Sequence, residues 1–257
     1  MQIESLFHAI EMSPENLEFK LKTSIFEVYM EKIRDLLDVS KSDLKIRENK
    51  AGPYIENLTE AYVSDKLELY KLLQLGQKNR ITCSTNMNAH SSRSHLIFML
   101  SLNQFNSQNS QSKTSKLYLV DLAGSEKVSK TGAEGKVLEQ AKKINMSLAS
   151  LGKVIKSLSL RIQHIPYRDS KLTRILQDSL GGNSKTTLIV TCSPHEMHLA
   201  ETVSTLRFGE NAQKIKNKPK INRELTVQEL QKIIEELEAK ITEKDAWIKT
   251  LELYIAR

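Results

Sequence analysis

The apolar residues of this chain are spaced in two ways, and each spacing predicts a different kind of element. From Leu17 to Tyr29 every second residue is apolar at first, and later both faces become apolar, as in a strand inside a sheet. A small hairpin is expected around Gly52 and Pro53. Continuous apolar runs predict further strands at residues 96–105, 117–120 and 188–190.

Apolar residues at intervals of three and four predict the helices. These helices span residues 1–12, 64–79, 137–158, 169–180 and 199–215. In the second of them we expect Ser64 to cap the N-terminus, and Leu67, Tyr70 and Leu73 to face the core. A short helical turn is expected over residues 31–38.

A heptad repeat runs from residue 227 to the end. Its a positions hold branched residues and its d positions hold leucine, apart from Lys244. This pattern favours a parallel two-stranded coiled coil, so we expect a homodimer. A single helix folded onto its own domain is the alternative, because Ile233, Trp247 and Tyr254 widen the apolar stripe. The expected dimer seam consists of Val227, Leu230, Ile234, Leu237, Ile241, Ile248, Leu251 and Ile255.

The net charge of +7 is unevenly distributed. Residues 224–257 contain five Lys or Arg and eight Asp or Glu, a balance of −3, so the remaining chain has 33 against 23 and carries +10. A basic globular part favours an acidic partner surface. Nucleic acid would satisfy this charge equally well, but the sequence has no zinc-finger, helix-turn-helix or RNP-type pattern.

Residues 115–126, SKLYLVDLAGSE, combine a short apolar strand with an acid and a glycine. Such a strand is expected to be buried and parallel to its neighbours. In phosphate-binding α/β folds the Asp holds Mg²⁺, usually through water, and the Gly lets a backbone N–H approach a terminal phosphate. Asp121 and Gly124 are candidates for these roles. A buried strand with a polar C-terminal turn explains the same letters, so this motif alone leaves both interpretations open.

Residues 88–95, NAHSSRSH, place hydroxyls, imidazoles and a guanidinium directly before a strand. Paired hydroxyls suit metal and phosphate oxygens, and Arg93 has the fork geometry to pair with a carboxylate such as Glu126. A serine-rich turn that caps a helix is the alternative. Together the two motifs resemble the two nucleotide-sensing switches of the kinesin motor family. The resemblance extends through residues 164–187 and 204–217, is closest to conventional kinesins with an N-terminal motor, and covers nearly the whole chain.

The resemblance implies an α/β fold of the kinesin type. This is a P-loop NTPase fold with a central mixed sheet flanked by helices, here truncated at its N-terminus and followed by a coiled-coil helix. Residues 1–213 would be part of the motor domain, 214–226 the neck linker and 227–257 the neck coiled coil. Pro219 departs from the family pattern, and because it has no N–H we expect it to disturb the backbone pairing of a docked linker.

The resemblance also implies roles for individual residues. The catalytic group would be Ser91, Ser92, Arg93 and Glu126. Nucleotide and Mg²⁺ sensing would fall to Asn88, Ser92, Asp121 and Gly124, of which Ser92 and Asp121 hold the metal indirectly. Asn145 would relay between the nucleotide and the track. The cations that face the microtubule would be Lys127, Arg168, Lys171 and Arg174, although ordinary surface residues explain these letters equally well.

The P-loop pattern G-x-x-x-x-G-K-[ST] has no match in the 257 residues. By resemblance the chain begins inside the helix that follows the P-loop region, so ATP and Mg²⁺ are expected as cofactors once that region is restored. In the resembled fold the P-loop strand separates the strands at 117–120 and 188–190, so we expect both to have unpaired edges.

Two functions stay open. One is a motor ATPase that moves along microtubules of the cytoplasmic cytoskeleton. The other is a non-catalytic, dimerising kinesin relative that binds microtubules. Both need the basic face and the coil, whereas only the first needs the P-loop. A GTPase is disfavoured because the sequence has no N-K-x-D base-reading motif.

Overall fold

The computed structural model describes residues 2–49, 52–82, 93–124, 135–225 and 227–255. Its strands are β1 (Leu17–Tyr29), β2 (Lys32–Asp35), β3 (Ser42–Leu44), β4 (Ile46–Asn49), β5 (Gly52–Ile55), β6 (Ala61–Val63), β7 (His95–Asn106) and β8 (Gln111–Asp121). Its helices are α1 (Gln2–Glu11), α2 (Lys66–Thr82), α3 (Gly135–Ser159), α4 (Lys171–Ile175), α5 (Leu199–Gln213) and α6 (Val227–Ile255). Among the described residues, no helix is long and apolar enough to cross a membrane.

A six-stranded sheet forms the centre of the fold. Its order is β3-β2-β1-β7-β8, with β6 paired to the first half of β1. Every pairing between these described strands is antiparallel. The parallel orientation expected for residues 117–120 is therefore wrong, because this segment is the end of β8, which returns along β7 after a turn at residues 107–110. The expected hairpin around Gly52 is confirmed as the pair β4–β5.

Helices cover both faces of the sheet, because successive side chains of a strand point to opposite sides. On one face Phe26 and Val28 of β1 join a core with residues of α3 and α4. On the other face Leu21 and Ile25 join a second core with residues of α1 and α2. The α/β architecture expected from the sequence is thus confirmed.

A two-residue turn joins β1 to β2. Met30 and Glu31 both have positive φ, 51° and 61°, as in the type I′ turns that match the twist of a hairpin. The helical turn expected over residues 31–38 is wrong. Within β2, Ile33 and Asp35 are buried, whereas Lys32 is exposed and Arg34 is half-buried, which is the two-residue period of a strand.

Helix α2 begins at a different cap and turns a different face to the core than the sequence predicts. The Asp65 carboxylate accepts a hydrogen bond from the Glu68 N–H at 2.8 Å, so Asp65 occupies the capping position expected for Ser64. Leu69 is fully buried and Leu73 packs beside it, whereas Leu67 is 61% exposed.

The close approach of α2 to β1 determines which face of the helix points to the core. A Cβ at Gly76 would lie 2.9 Å from a side-chain carbon of Ile25, so the helix lies too near the strand for any side chain there. This contact turns the stripe of Leu69, Leu73 and Gly76 inward. It leaves Tyr70, which was expected in the core, 37% exposed.

The C-terminal part of the sequence forms four of the five elements expected there, since α6 also follows the heptad repeat. The long amphipathic helix is confirmed as α3, and α5 also agrees with its expected span. The helix expected at residues 169–180 is only the five-residue α4, preceded by a 3-10 turn at Tyr167–Asp169. Ser170 has extended backbone angles and its Oγ caps the Leu172 N–H, so the helix starts at Lys171.

The strand expected at residues 188–190 is wrong. The segment joins no sheet, and Ile189 is 83% exposed. The last half of β8 has no strand on its outer edge within the described residues, and Leu117 and Leu119 are 42% and 40% exposed.

Candidate functional site

Arg80, near the end of α2, joins the two sequence motifs. Its guanidinium donates to Ser94 Oγ at 3.3 Å, to the Ser94 carbonyl oxygen at 3.0 Å and to Asp121 Oδ2 at 3.1 Å. Arg80 is buried, while the Asp121 side chain is 67% exposed. The last residues of the first motif and the carboxylate of the second are therefore held side by side.

Sequence reasoning missed Arg80, although a signal was present. Arg80 continues the series Leu69, Leu73 and Gly76 on the core-facing stripe of α2. A cation on such a stripe must be paired, because burial of an unpaired charge is very unfavourable.

His95, the first residue of β7, makes a second connection between the motifs. Its Nδ1 accepts a hydrogen bond from the Ala123 N–H at 2.9 Å, and its Nε2 lies 2.7 Å from Ser147 Oγ on α3. Burial lowers the pKa of His95 to about 4, with the Asp121 carboxylate opposing this shift and the Arg80 guanidinium adding to it. The ring is therefore neutral at physiological pH.

The structure describes only some of the remaining residues of the candidate nucleotide site. Arg93 is half-buried just before Ser94, and Gly124 is half-buried just after Ala123. Asn145 lies in the backbone of α3, two residues before Ser147. Outside the described residues lie Asn88, Ser91, Ser92, Glu126 and Lys127.

Asp121 fits an indirect contact with Mg²⁺. Its carboxylate is exposed and engages Arg80 through Oδ2, so it remains accessible to metal-bound water. Within the described part of the chain, no group of three or more His, Cys, Asp or Glu could hold a metal ion by itself. Among the described residues, Asp121 is therefore a candidate for a water-mediated contact and not part of a complete protein-ligated metal site.

The three described cations of the expected microtubule face lie together around the β3–β4 segment. Arg174 pairs with the Glu48 carboxylate, which also lies 3.5 Å from Arg168, and Lys171 pairs with Asp43 at 3.1 Å. Side-chain exposure falls from 80% at Arg168 to 28% at Lys171 and 15% at Arg174. Lys171 also lowers the pKa of the Asp43 carboxyl. We call Arg168, Lys171 and Arg174 the basic face.

Glu31 fixes the basic face to the sheet. Its carboxylate accepts hydrogen bonds from Ser170 Oγ at 2.6 Å and from the Lys171 N–H at 2.7 Å, at the start of α4. A carboxylate is favourable at this end of a helix, where backbone N–H groups are unpaired. The positive φ of Glu31 in the β1–β2 turn aims the side chain at α4. Sequence analysis placed this residue in a helical turn and so missed the contact.

The segment after α5 is extended and lies against the domain. The Thr114 N–H of β8 donates to the Asn222 carbonyl oxygen, and the Glu224 N–H donates to the Ser112 carbonyl oxygen of β8, both at 2.9 Å. Closer to α5, the Lys218 N–H donates to the Gly182 carbonyl oxygen at 2.9 Å.

Pro219 does not interrupt this pairing. The backbone groups that bond to the domain belong to even-numbered residues, 218, 222 and 224, and the Lys220 N–H also donates to Asn183 Oδ1. Alternate residues of an extended chain point in opposite directions, so the N–H that Pro219 lacks would point away from the domain. The disturbance expected from Pro219 is therefore absent at these described contacts.

Helix α6 carries the expected dimer seam. Its apolar side chains stand in solvent in this single chain, with exposures from 45% at Leu251 to 71% at Val227. A seam of this kind is what a partner helix would cover. The described members are Val227, Leu230, Ile234, Leu237, Ile241, Ile248 and Leu251.

Comparison with known proteins gives consistent results. The kinesin motor domain family matches residues 1–215. The chain is 52% identical to a kinesin heavy chain of Syncephalastrum racemosum over 252 residues, which are 97% of this chain and 27% of the relative. It is 51% identical to kinesin heavy chain isoform 5C of Rattus norvegicus, over 98% of this chain and 27% of the relative. The chain thus spans about a quarter of the length of these relatives.

Solved structures agree with this assignment. A fast kinesin superposes with a TM-score of 0.81 at 52% identity, over 88% of this chain and 64% of that chain. A KIF14 dimer, solved in a two-heads-bound state with AMP-PNP in complex with a microtubule, superposes with a TM-score of 0.80 at 39% identity, over 90% of this chain and 68% of that chain. With its two motifs held together by Arg80 and His95 on this α/β scaffold, the chain belongs to the kinesin motor domain family.

Proposed function

We propose that this chain forms part of a microtubule motor of the cytoplasmic cytoskeleton, in which ATP binding and hydrolysis drive movement. The observation that carries the proposal is the basic face, whose three cations are gathered at one place by Glu31 and the β3–β4 segment, with the Arg168 side chain 80% exposed. A cationic surface is complementary to an acidic track such as a microtubule. The KIF14 relative, solved on a microtubule, supports this choice of partner.

In the proposed motor, the two motifs sense the nucleotide. Mg²⁺ supplies charge neutralisation at the phosphates when it is bound. Asp121 would hold Mg²⁺ through a water, Ser91 and Ser92 would reach the terminal phosphate, with Ser92 also holding the metal indirectly, and Arg93 would pair with Glu126. These two charged residues form a gate, and Glu126 helps to move a proton.

The same proposal assigns sensing, relay and track contacts. The Gly124 N–H senses the terminal phosphate, and Asn88 contributes to nucleotide sensing. Asn145 relays the nucleotide state along α3, and Lys127 contributes to microtubule binding. Residues 214–226 act as the linker whose docking accompanies ATP binding. The docked contacts of Asn222 and Glu224 support this role.

Dimerisation through α6 is the last part of the proposal. Parallel pairing of two copies would cover the exposed seam, from Val227 to Leu251. Residues 227–257 then act as the neck coiled coil. This pairing would hold two motor domains together on one track.

A second candidate is a non-catalytic microtubule-binding relative. It is favoured by one observation, the lack of a G-x-x-x-x-G-K-[ST] match in these 257 residues. An ATPase assay with saturating microtubules, made on the chain with the P-loop region of a kinesin heavy chain restored, separates the two functions. Turnover that depends on Glu126 supports the motor, and binding without turnover supports the relative.

Co-sedimentation with microtubules tests the proposal. Replacing Arg168, Lys171 and Arg174 by Ala is expected to weaken binding by about threefold to a hundredfold, since an exposed ion pair contributes about 0.2–1 kcal/mol. Binding of the unmodified chain should also weaken as salt rises. Retained affinity in a folded triple variant would rule out the basic face.

A matched control is available on α2, which covers the opposite face of the sheet. Replacing Lys66, Lys71 and Lys78 by Ala removes the same number of charges from exposed positions. This control variant should bind microtubules within about twofold of the unmodified chain, because only screened long-range attraction is lost. Equal losses in both variants would mean that net charge, and not the basic face, governs binding.

A further inference from the structure

The His95 imidazole touches three parts of the molecule at once. It belongs to β7, accepts a hydrogen bond from the Ala123 N–H in the loop after β8, and contacts Ser147 on α3. All three residues are at most 5% exposed. The contact therefore lies in the interior, where both partners are shielded from water.

The geometry fixes the tautomer of the ring. Because Nδ1 accepts the Ala123 N–H, it carries no proton, so in the neutral ring the proton is on Nε2. Nε2 then donates to Ser147 Oγ at 2.7 Å. One ring thus accepts from the loop and donates to the helix. If the proton moved to Nδ1, the bond from the Ala123 N–H would be lost, and the Ser147 hydroxyl would have to become the donor to Nε2.

The three connected elements are those to which the proposed motor assigns nucleotide sensing and relay. Ala123 directly precedes Gly124, whose N–H is proposed to sense the terminal phosphate, and Ser147 lies two residues after Asn145 on α3. A shift of the Ala123 backbone must either stretch its bond to His95 or carry the ring with it. The ring in turn can move only by changing its bond to α3.

We infer that His95 is a positioning residue that couples the Ala123–Gly124 backbone to helix α3 through its neutral, Nε2-protonated ring. This inference rests on the proposed function for the roles of Gly124 and α3. The link itself consists of two hydrogen bonds in this chain. It complements the Arg80 contacts, which join Ser94 to Asp121.

Two substitutions separate the two bonds. In His95→Asn the side-chain oxygen can occupy the place of Nδ1 and keep the bond to Ala123, but the side chain is too short to reach Ser147. In His95→Gln the side-chain nitrogen can occupy the place of Nε2 and keep the bond to Ser147, but no acceptor faces Ala123. Ser147→Ala removes the helix end of the link and leaves the ring intact.

Nuclear magnetic resonance of the full chain, labelled with ¹⁵N and ²H, tests the link without requiring motor activity. The unmodified chain should show an unprotonated Nδ1 and a protonated Nε2 on His95. Hydrogen exchange of the Ala123 amide should accelerate about tenfold in His95→Gln, the effect of losing one buried hydrogen bond. In His95→Asn the Ala123 amide should remain protected.

The coupling itself is measured by a double-mutant comparison. Ser147→Ala should shift the Ala123 amide resonance in the unmodified background, and this shift should vanish in the His95→Asn background. A protonated Nδ1, unchanged Ala123 exchange in His95→Gln, or equal shifts in both backgrounds would overturn the inference. A chain that shows the link but does not bind microtubules would instead refute the proposed function.

Discussion

Protonation of His95 should destabilise the fold at mildly acidic pH. The pKa of this ring is about 4 in the folded chain because it is buried, against about 6.5 for an unfolded histidine. The unfolded chain therefore binds a proton first as the pH falls. The stability associated with the neutral ring is fully present above about pH 6.5 and is lost as the pH falls towards 4.

The size of the effect follows from the two pKa values. Between pH 7.5 and pH 5 the free energy of unfolding should fall by about 2 kcal/mol from this residue alone. In a chain of this size that corresponds to a decrease of about 4–8 °C in melting temperature. Most of this loss falls above pH 5, where carboxylates elsewhere are still ionised, so it should precede general acid unfolding.

His95→Gln is the matched control, because glutamine has no proton to gain in this range. The measurement is thermal or urea unfolding of both chains at pH 7.5, 6 and 5, followed by circular dichroism. Every other titrating group is common to both chains, so the difference between their pH dependences isolates His95. The reasoning is refuted if both chains lose the same stability between pH 7.5 and pH 5.

Three further predictions concern the fold and the dimer. Glu31→Ala should lower the free energy of unfolding by about 2–3 kcal/mol, since it removes two charge-assisted hydrogen bonds at the start of α4, and it should also weaken microtubule binding. Denaturant unfolding measures the first effect and co-sedimentation the second, and an unchanged stability would contradict the role of Glu31 at the start of α4. Gly76→Ala should lower the free energy of unfolding by about 1–3 kcal/mol, because the added methyl group would press on β1. Gly152→Ala, which has open space around it, should instead raise this free energy by up to about 1 kcal/mol. Denaturant unfolding measures both, and a stabilising Gly76→Ala would refute the close packing. Lys244→Leu should lower the dissociation constant of the α6 dimer by restoring leucine at this d position. Analytical ultracentrifugation over a range of concentrations would measure this change, and a monomer at all concentrations would contradict the dimer.

The sequence predicts the long regular elements well because their apolar periods are strong. Strand β1 and helices α3 and α5 agree with expectation for this reason. Helix α6 also agrees, since a heptad repeat is a helical signal whether or not a partner is present.

The errors occur where tertiary contacts decide the outcome. The close approach of Gly76 to β1 determines which face of α2 points to the core. The apolar periodicity of the α2 sequence does not predict this contact. Residues 188–190 have the composition of a buried strand, but a strand forms only when a neighbour supplies hydrogen bonds. The β1–β2 turn uses Met30 and Glu31 at positive φ, where the turn pattern would favour Asn or Gly.

The candidate site could be predicted in its motifs but not in its connections. Asp121 and the serine-rich motif stand out in the sequence, because polar residues there interrupt apolar strands. Arg80 and Glu31 do not, because each is far along the chain from the residues that it contacts. His95 was part of a motif, yet its bond to Ser147 spans 52 residues and depends on the packing of α3.

The most direct test of the central claim is an electron cryomicroscopy map of the full chain bound to microtubules. The account predicts that Arg168 and the start of α4 lie against the microtubule surface, with the β3–β4 segment beside them. Arg168, which is the most exposed of the three cations, should contact an acidic side chain of tubulin. A map in which the chain binds through α2 or another face, or in which microtubules remain bare at saturating concentration, would contradict the account.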